Sequence, residues 1–91
     1  MDPDTASSPP QPPLRVRLFA RLREQAGWGE RTLALHTPGQ PAPTAALVWQ
    51  QLRLGPWPEG VRVAVNQEFA APHQPLQPGD EVAFLPPITG G

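Results

Sequence analysis

From Leu14 the chain alternates: Leu14, Val16 and Leu18 with Arg15, Arg17 and Phe19, the period-two pattern of a strand with one buried face. ARLREQAG then reads as a short helical turn closed by Gly27, and TLALH, Thr32 to His36, as a second strand with Leu33 and Leu35 inward. Prolines 38, 41 and 43 make TPGQPAP a loop. Thr44 suits the N-cap of a helix whose apolar stripe is Ala45, Val48, Trp49 and Leu52, with Gly55 as its stop. PWPEG is a turn, and Val61 to Asn66 is a third strand with Val61, Val63 and Val65 on one face. A short extended piece around Phe69, the turn QPGD and a last strand EVAFL, Glu81 to Leu85, complete the pattern.

One amphipathic helix and four to five half-polar strands predict an α+β layer, a sheet with one face on the helix and the other on solvent. First and last strands side by side in its middle would make it a β-grasp. Val82 and Phe84 then share the inward parity of Leu14, Val16 and Leu18. Phe19 and Leu85 point outward, and Phe69 has no periodic partner. Single exposed apolar side chains are ordinary, but a contiguous patch marks a partner surface.

The first 13 of the 91 residues hold five of the fifteen prolines and almost no apolar side chains, which predicts a disordered tail. They lack the apolar segment of a signal peptide, and no stretch of the chain approaches a membrane span. Without cysteine there are no disulfides, thiolate metal sites or persulfides, which fits the cytoplasm. The net charge is −1, and residues 14–91 carry seven arginines against six acids, or +1, so neither nucleic acid nor membrane is favoured as a partner. Every basic side chain is arginine, so no side-chain amine can form a Schiff base or isopeptide bond. His36 and His73 are far apart, with no acidic cluster at ligand spacing, and no metal site is expected. Trp28 and Trp57, beside glycine and proline, read as edge packing.

The last residues, FLPPITGG, carry the chemistry. Pro86 has no N–H and ends sheet pairing, and Pro86-Pro87 favours a stiff polyproline rod. Residues 86–91 extend at most roughly 20 Å. Gly90 and Gly91 lack a Cβ and can thread a passage as narrow as the backbone. The tip presents an ionised α-carboxylate, a usable nucleophile. Attack on the α-phosphate of ATP would make an acyl-adenylate, which a sulfur donor could convert to a thiocarboxylate. The carrier itself needs no cysteine, lysine or metal for this.

VNQEF at 65–69, PLQPGDEVAFLPP at 75–87, the ending ITGG and RLFARLREQAG at 17–27 resemble the MoaD/ThiS family of ubiquitin-like sulfur carriers, most of all its molybdopterin synthase small-subunit branch. The likeness spans essentially residues 14–91, with 29–60 the least diagnostic part. It implies a β-grasp domain at 14–85 and an extended reactive tail at 86–91. It also implies that an ATP-dependent adenylyltransferase related to ubiquitin-activating enzymes activates Gly91. A sulfur donor, such as a cysteine desulfurase or rhodanese, then makes the thiocarboxylate. The tail enters the active site of a large synthase subunit, in a heterotetramer, and gives sulfur toward the dithiolene of molybdopterin from cyclic pyranopterin monophosphate. The carrier holds no cofactor; ATP belongs to the activating enzyme. Under this resemblance Gly91 is the reacting residue. Gly90, Thr89, Ile88, Pro87, Pro86, Leu85, Phe69 and Phe19 meet the partners, with Arg23 near the activating enzyme. The Pro-rich 1–13 segment departs from the family pattern.

Carriers for thiamine thiazole synthesis share fold and chemistry but usually lack the Pro-Pro. One carrier can also serve tRNA thiolation or several pathways. A non-catalytic β-grasp binding module, in which the tail is only a spacer, is the remaining alternative.

Overall fold

The alternating segments pair into one five-stranded mixed sheet in the computed structural model, which describes residues 12–37 and 39–87. The elements are β1 (Leu14–Leu18), α1 (Ala20–Ala26), β2 (Glu30–Leu33), α2 (Ala45–Leu52), β3 (Arg62–Val65), β4 (Glu68–Ala70) and β5 (Glu81–Leu85). The sheet order is β2-β1-β5-β3-β4. The first and last strands run parallel at its centre, Val16 opposite Val82 and Leu18 opposite Phe84. The other pairs are antiparallel.

Alternation sorts the two faces as expected. Leu14, Val16, Leu18, Val63, Val82 and Phe84 are buried, and with the α2 stripe Ala45, Val48, Trp49 and Leu52 they form one core. Phe84 stands at its aromatic centre, edge-on to Trp49 at 5.1 Å and to Trp57 at 5.7 Å. Trp57 therefore does pack at the edge of the core, as does Trp28, whose ring carries the Arg31 guanidinium at 4.4 Å. Thr44 caps α2, its hydroxyl accepting from the Leu47 N–H.

Several boundaries differ from the sequence reading. Residues 20–26 form a true helix of about two turns, so the sheet carries two helices rather than one main helix. Gly27 ends α1 at φ 86, its N–H donating to the Arg23 carbonyl. The second strand spans Glu30–Leu33 rather than 32–36, because its pairing runs from Arg17 opposite Glu30 to Leu14 opposite Leu33 and then β1 is exhausted. Leu33 and Leu35 still pack inward. Helix α2 stops at Leu52, with Arg53 left-handed at φ 58, and not at Gly55. The Gly55 carbonyl instead accepts the Trp49 indole N–H at 2.8 Å, which turns the chain back over the helix. The third strand ends at Val65, since Asn66 and Gln67 take left-handed φ of 52 and 71 and make the tight turn into β4.

That turn is tied to the QPGD turn by side chains. Asn66 donates to Asp80 and accepts from the Glu81 N–H, both at 3.0 Å, while the other Asp80 oxygen accepts from Gln77 N–H at 2.8 Å. These bonds hold the start of β5 against the β3–β4 hairpin, and so fix where Phe69 stands relative to Leu85. The sequence predicts disorder for residues 1–13; Pro12 and Pro13 are exposed, and the rest lie outside the described residues. Among those described, no helix is long and apolar enough to cross a membrane.

Candidate docking face and root of the tail

The outward face of the sheet is read row by row from the strand registers. Arg17, Ala83, Ala64 and Phe69 follow one another across β1, β5, β3 and β4. Next to that row, Leu85 lies opposite Arg62, and Phe19 follows Leu18 one step past Phe84. Two alanines at the centre leave a hollow. Phe19, Phe69, Leu85, Arg17, Gln67 and Glu81 wall a depression of about 250 Å³ whose floor is Ala64 and Ala83. Phe69 is 64% exposed, whereas Phe19 and Leu85 are half-buried. The three apolar residues left over once the core is assigned therefore meet in one place.

Arginines hold the aromatic walls. The Arg62 guanidinium lies over the Phe69 ring at 3.8 Å and that of Arg17 over Phe19 at 5.1 Å, each a cation–π contact. Arg17 also reaches Glu81 at 3.4 Å, and Arg15 spans Glu81 at 3.8 Å and Glu30 at 3.6 Å. The Arg15–Glu30 pair is exposed on both sides and contributes at most about 1 kcal/mol, whereas Glu81, only 13% exposed, receives both Arg15 and Arg17 and orients their stems along the face. Arg23 does not line this depression. It bounds a neighbouring hollow of about 240 Å³ that shares Arg17 and Phe19 and runs over Gly29 and Glu30. Arg23 is thus contiguous with the apolar face, on the α1 side.

The root of the tail begins directly after Leu85, which lines this depression. Pro86 follows Leu85 and is half-buried, and Pro87 is exposed; neither continues the strand. Ile88, Thr89, Gly90 and Gly91 lie outside the described residues. Elsewhere, His36 Nε2 lies 2.9 Å from the Leu76 carbonyl oxygen, and His73 is exposed. No group of three or more His, Cys, Asp or Glu residues among those described could hold a metal ion.

Sequence reasoning found the apolar walls but missed the floor and the polar rim. Ala64 and Ala83 had a usable signal, being small residues at outward parity on strands whose inward positions are Val63, Val65, Val82 and Phe84. Gln67, Arg17 and Glu81 had none, because only strand order brings them together.

A central parallel pair of first and last strands, flanking antiparallel strands, a helix across one face and an apolar hollow beside the exit of the chain define a β-grasp, ubiquitin-like domain. The fold agrees with that of the small archaeal modifier protein 1 of H. volcanii, with a TM-score of 0.70 over 85% of this chain and 99% of that one, at 23% identity. The chain belongs to the ThiS family, whose model matches residues 16–91. Two relatives are each named molybdopterin synthase sulfur carrier subunit. The one from Chlamydomonas reinhardtii is 38% identical over 86% of this chain and 98% of its own. The one from Escherichia coli is 36% identical over 86% of this chain and 99% of its own.

Proposed function

We propose that this protein is the sulfur carrier subunit of molybdopterin synthase, a subunit that delivers sulfur and does not itself catalyse. The observation that carries the reading is the pair of relatives bearing that name, each matched over nearly its whole length. The site supports it, because the tail departs beside an apolar depression.

In this reading a carboxylate oxygen of Gly91 attacks the α-phosphorus of ATP within an activating adenylyltransferase. Pyrophosphate leaves, and a mixed carboxylic–phosphoric anhydride remains. A donor such as a cysteine desulfurase or rhodanese presents sulfur as a cysteine persulfide, whose terminal sulfur attacks the acyl carbon while AMP leaves with the bonding pair. A thiol reductant then supplies two electrons to cleave the resulting acyl disulfide, which frees the thiocarboxylate and returns the donor cysteine as a thiol. The large synthase subunit binds Phe19, Phe69 and Leu85, and the residues from Pro86 to Gly90 pass into its active site. In the same reading Arg23 meets the activating enzyme. ATP and reduced sulfur put this cycle in the cytoplasm.

Intact mass of the chain from its native host, prepared without conditions that hydrolyse thioacids, tests the reading. The expected result is a species heavier by the exchange of one oxygen for one sulfur, mapped to Gly91. A plain carboxylate even after incubation with activating enzyme, ATP and sulfur donor would sink it.

Phe69→Ala separates the docking face from the fold. Phe69 is mostly exposed, so its stability cost should stay near the cation–π contribution, about 1 kcal/mol or less. Affinity for the large subunit should fall by about 2 kcal/mol or more, roughly thirtyfold in Kd, as for an aromatic anchor in a desolvated pocket. Isothermal titration against the isolated large subunit, paired with thermal melts, reads both. Unchanged affinity would remove Phe69 from the interface.

A further inference from the structure

The β3–β5 ladder ends with Arg62 opposite Leu85, yet its register does not lose its effect there. Carried two residues further in each direction, it sets Gly60 across from Pro87, and the Pro87 ring does lie there. A Cβ built on Gly60 would stand 3.1 Å from both Cβ and Cγ of Pro87, closer than side-chain carbons ordinarily pack. Gly60 has a left-handed φ of 83. Its turn is anchored, since the Val61 N–H donates to the Pro58 carbonyl at 3.3 Å and Trp57 packs on Phe84.

The geometry points to Gly60 as a positioning residue for Gly91: its bare Cα is a rest for the Pro87 ring that sets the direction in which the reactive tail leaves the sheet. This inference rests on the sulfur-carrier reading. Proline makes the rest effective, because its ring closes on the backbone and fixes φ near −65°, so displacing the ring swings the chain that follows. Four residues beyond Pro87 extend at most roughly 13 Å, and a swing of about 10° at the root moves the tip about 2 Å. A displacement of that size at a reacting atom costs on the order of 10²-fold in rate. Glycine serves here both by tolerating the positive φ and by leaving the space, and the two roles separate in a double-mutant cycle.

The test uses the full chain with the activating enzyme, reading Gly91 adenylation by ATP–pyrophosphate exchange for wild type, Gly60→Asn, Pro87→Gly and the double variant. Asparagine tolerates left-handed φ better than other side chains, so the added Cβ is the main change. With Pro87 in place, Gly60→Asn is expected to lower kcat for adenylation about tenfold or more and leave KM unchanged, since the docking face is untouched. In the Pro87→Gly background the same substitution should cause no further loss, because the ring that the Cβ meets is gone. Thermal melts identify any variant that fails to fold. Independently, the wild-type chain should give an NMR cross-peak between the Gly60 Hα and Pro87 ring protons.

Full adenylation by Gly60→Asn overturns the inference. Equal losses in both backgrounds also overturn it, reducing Gly60 to a backbone requirement, as does absence of the cross-peak. A wild-type chain that is never adenylated overturns the carrier reading and this inference with it.

Discussion

Phe84→Ala is expected to destabilise the domain by about 3–5 kcal/mol, the range for emptying a large aromatic from a packed core. Phe84 is fully buried and stands edge-on to both Trp49 and Trp57. Its removal therefore opens a void among rigid rings that cannot easily close over it. A small domain has only about 5–15 kcal/mol in total, so the variant should sit near the folding threshold. The melting temperature should fall on the order of 15 °C or more, which calorimetry or circular dichroism would read directly. Phe69→Ala is the matched control: the same atoms are removed from a ring on the opposite face, and little stability should be lost. Equal losses from the two variants would contradict the assignment of the faces.

Deleting Gly91 should lower adenylation by on the order of 10²-fold or more while leaving the melting temperature unchanged. The new terminus is still a glycine carboxylate, but it ends one residue, about 3.5 Å, short of the α-phosphorus. That shortfall is as large as the whole separation of reacting atoms in a near-attack geometry. Pyrophosphate exchange with the activating enzyme checks the result, and the sulfur-for-oxygen mass gain should vanish with it. A shortened chain activated as fast as the full one would show that Gly91 is not the reacting residue.

What was legible in the sequence follows the range of the interactions that encode it. The inward positions of β1, β3 and β5 could be read because successive Cβ atoms alternate across a strand, a property of the local backbone. The α2 stripe and the Thr44 cap were readable for the same reason. Element ends were less so. The start of β2 depends on pairing with β1, and the end of α2 on Arg53 adopting a left-handed φ while Trp49 bonds the Gly55 carbonyl. Neither partner is announced by residue type.

The sequence by itself determined which faces exist and which side chains are surplus to the core: Phe19 and Leu85 stood out by parity, Phe69 by having no periodic partner, and the Pro-Pro, Gly-Gly ending as the candidate reactive end. Only the tertiary structure decided that these surplus residues share one depression floored by Ala64 and Ala83, and that Gly60 lies beneath Pro87. Parity is set within a few residues, whereas adjacency is set by hydrogen bonding between strands far apart in the chain. β1 and β5 become neighbours because their inward side chains Leu14, Val16, Val82 and Phe84, all fully buried, must lie together at the centre of the sheet, and that requirement belongs to the whole core rather than to any one segment.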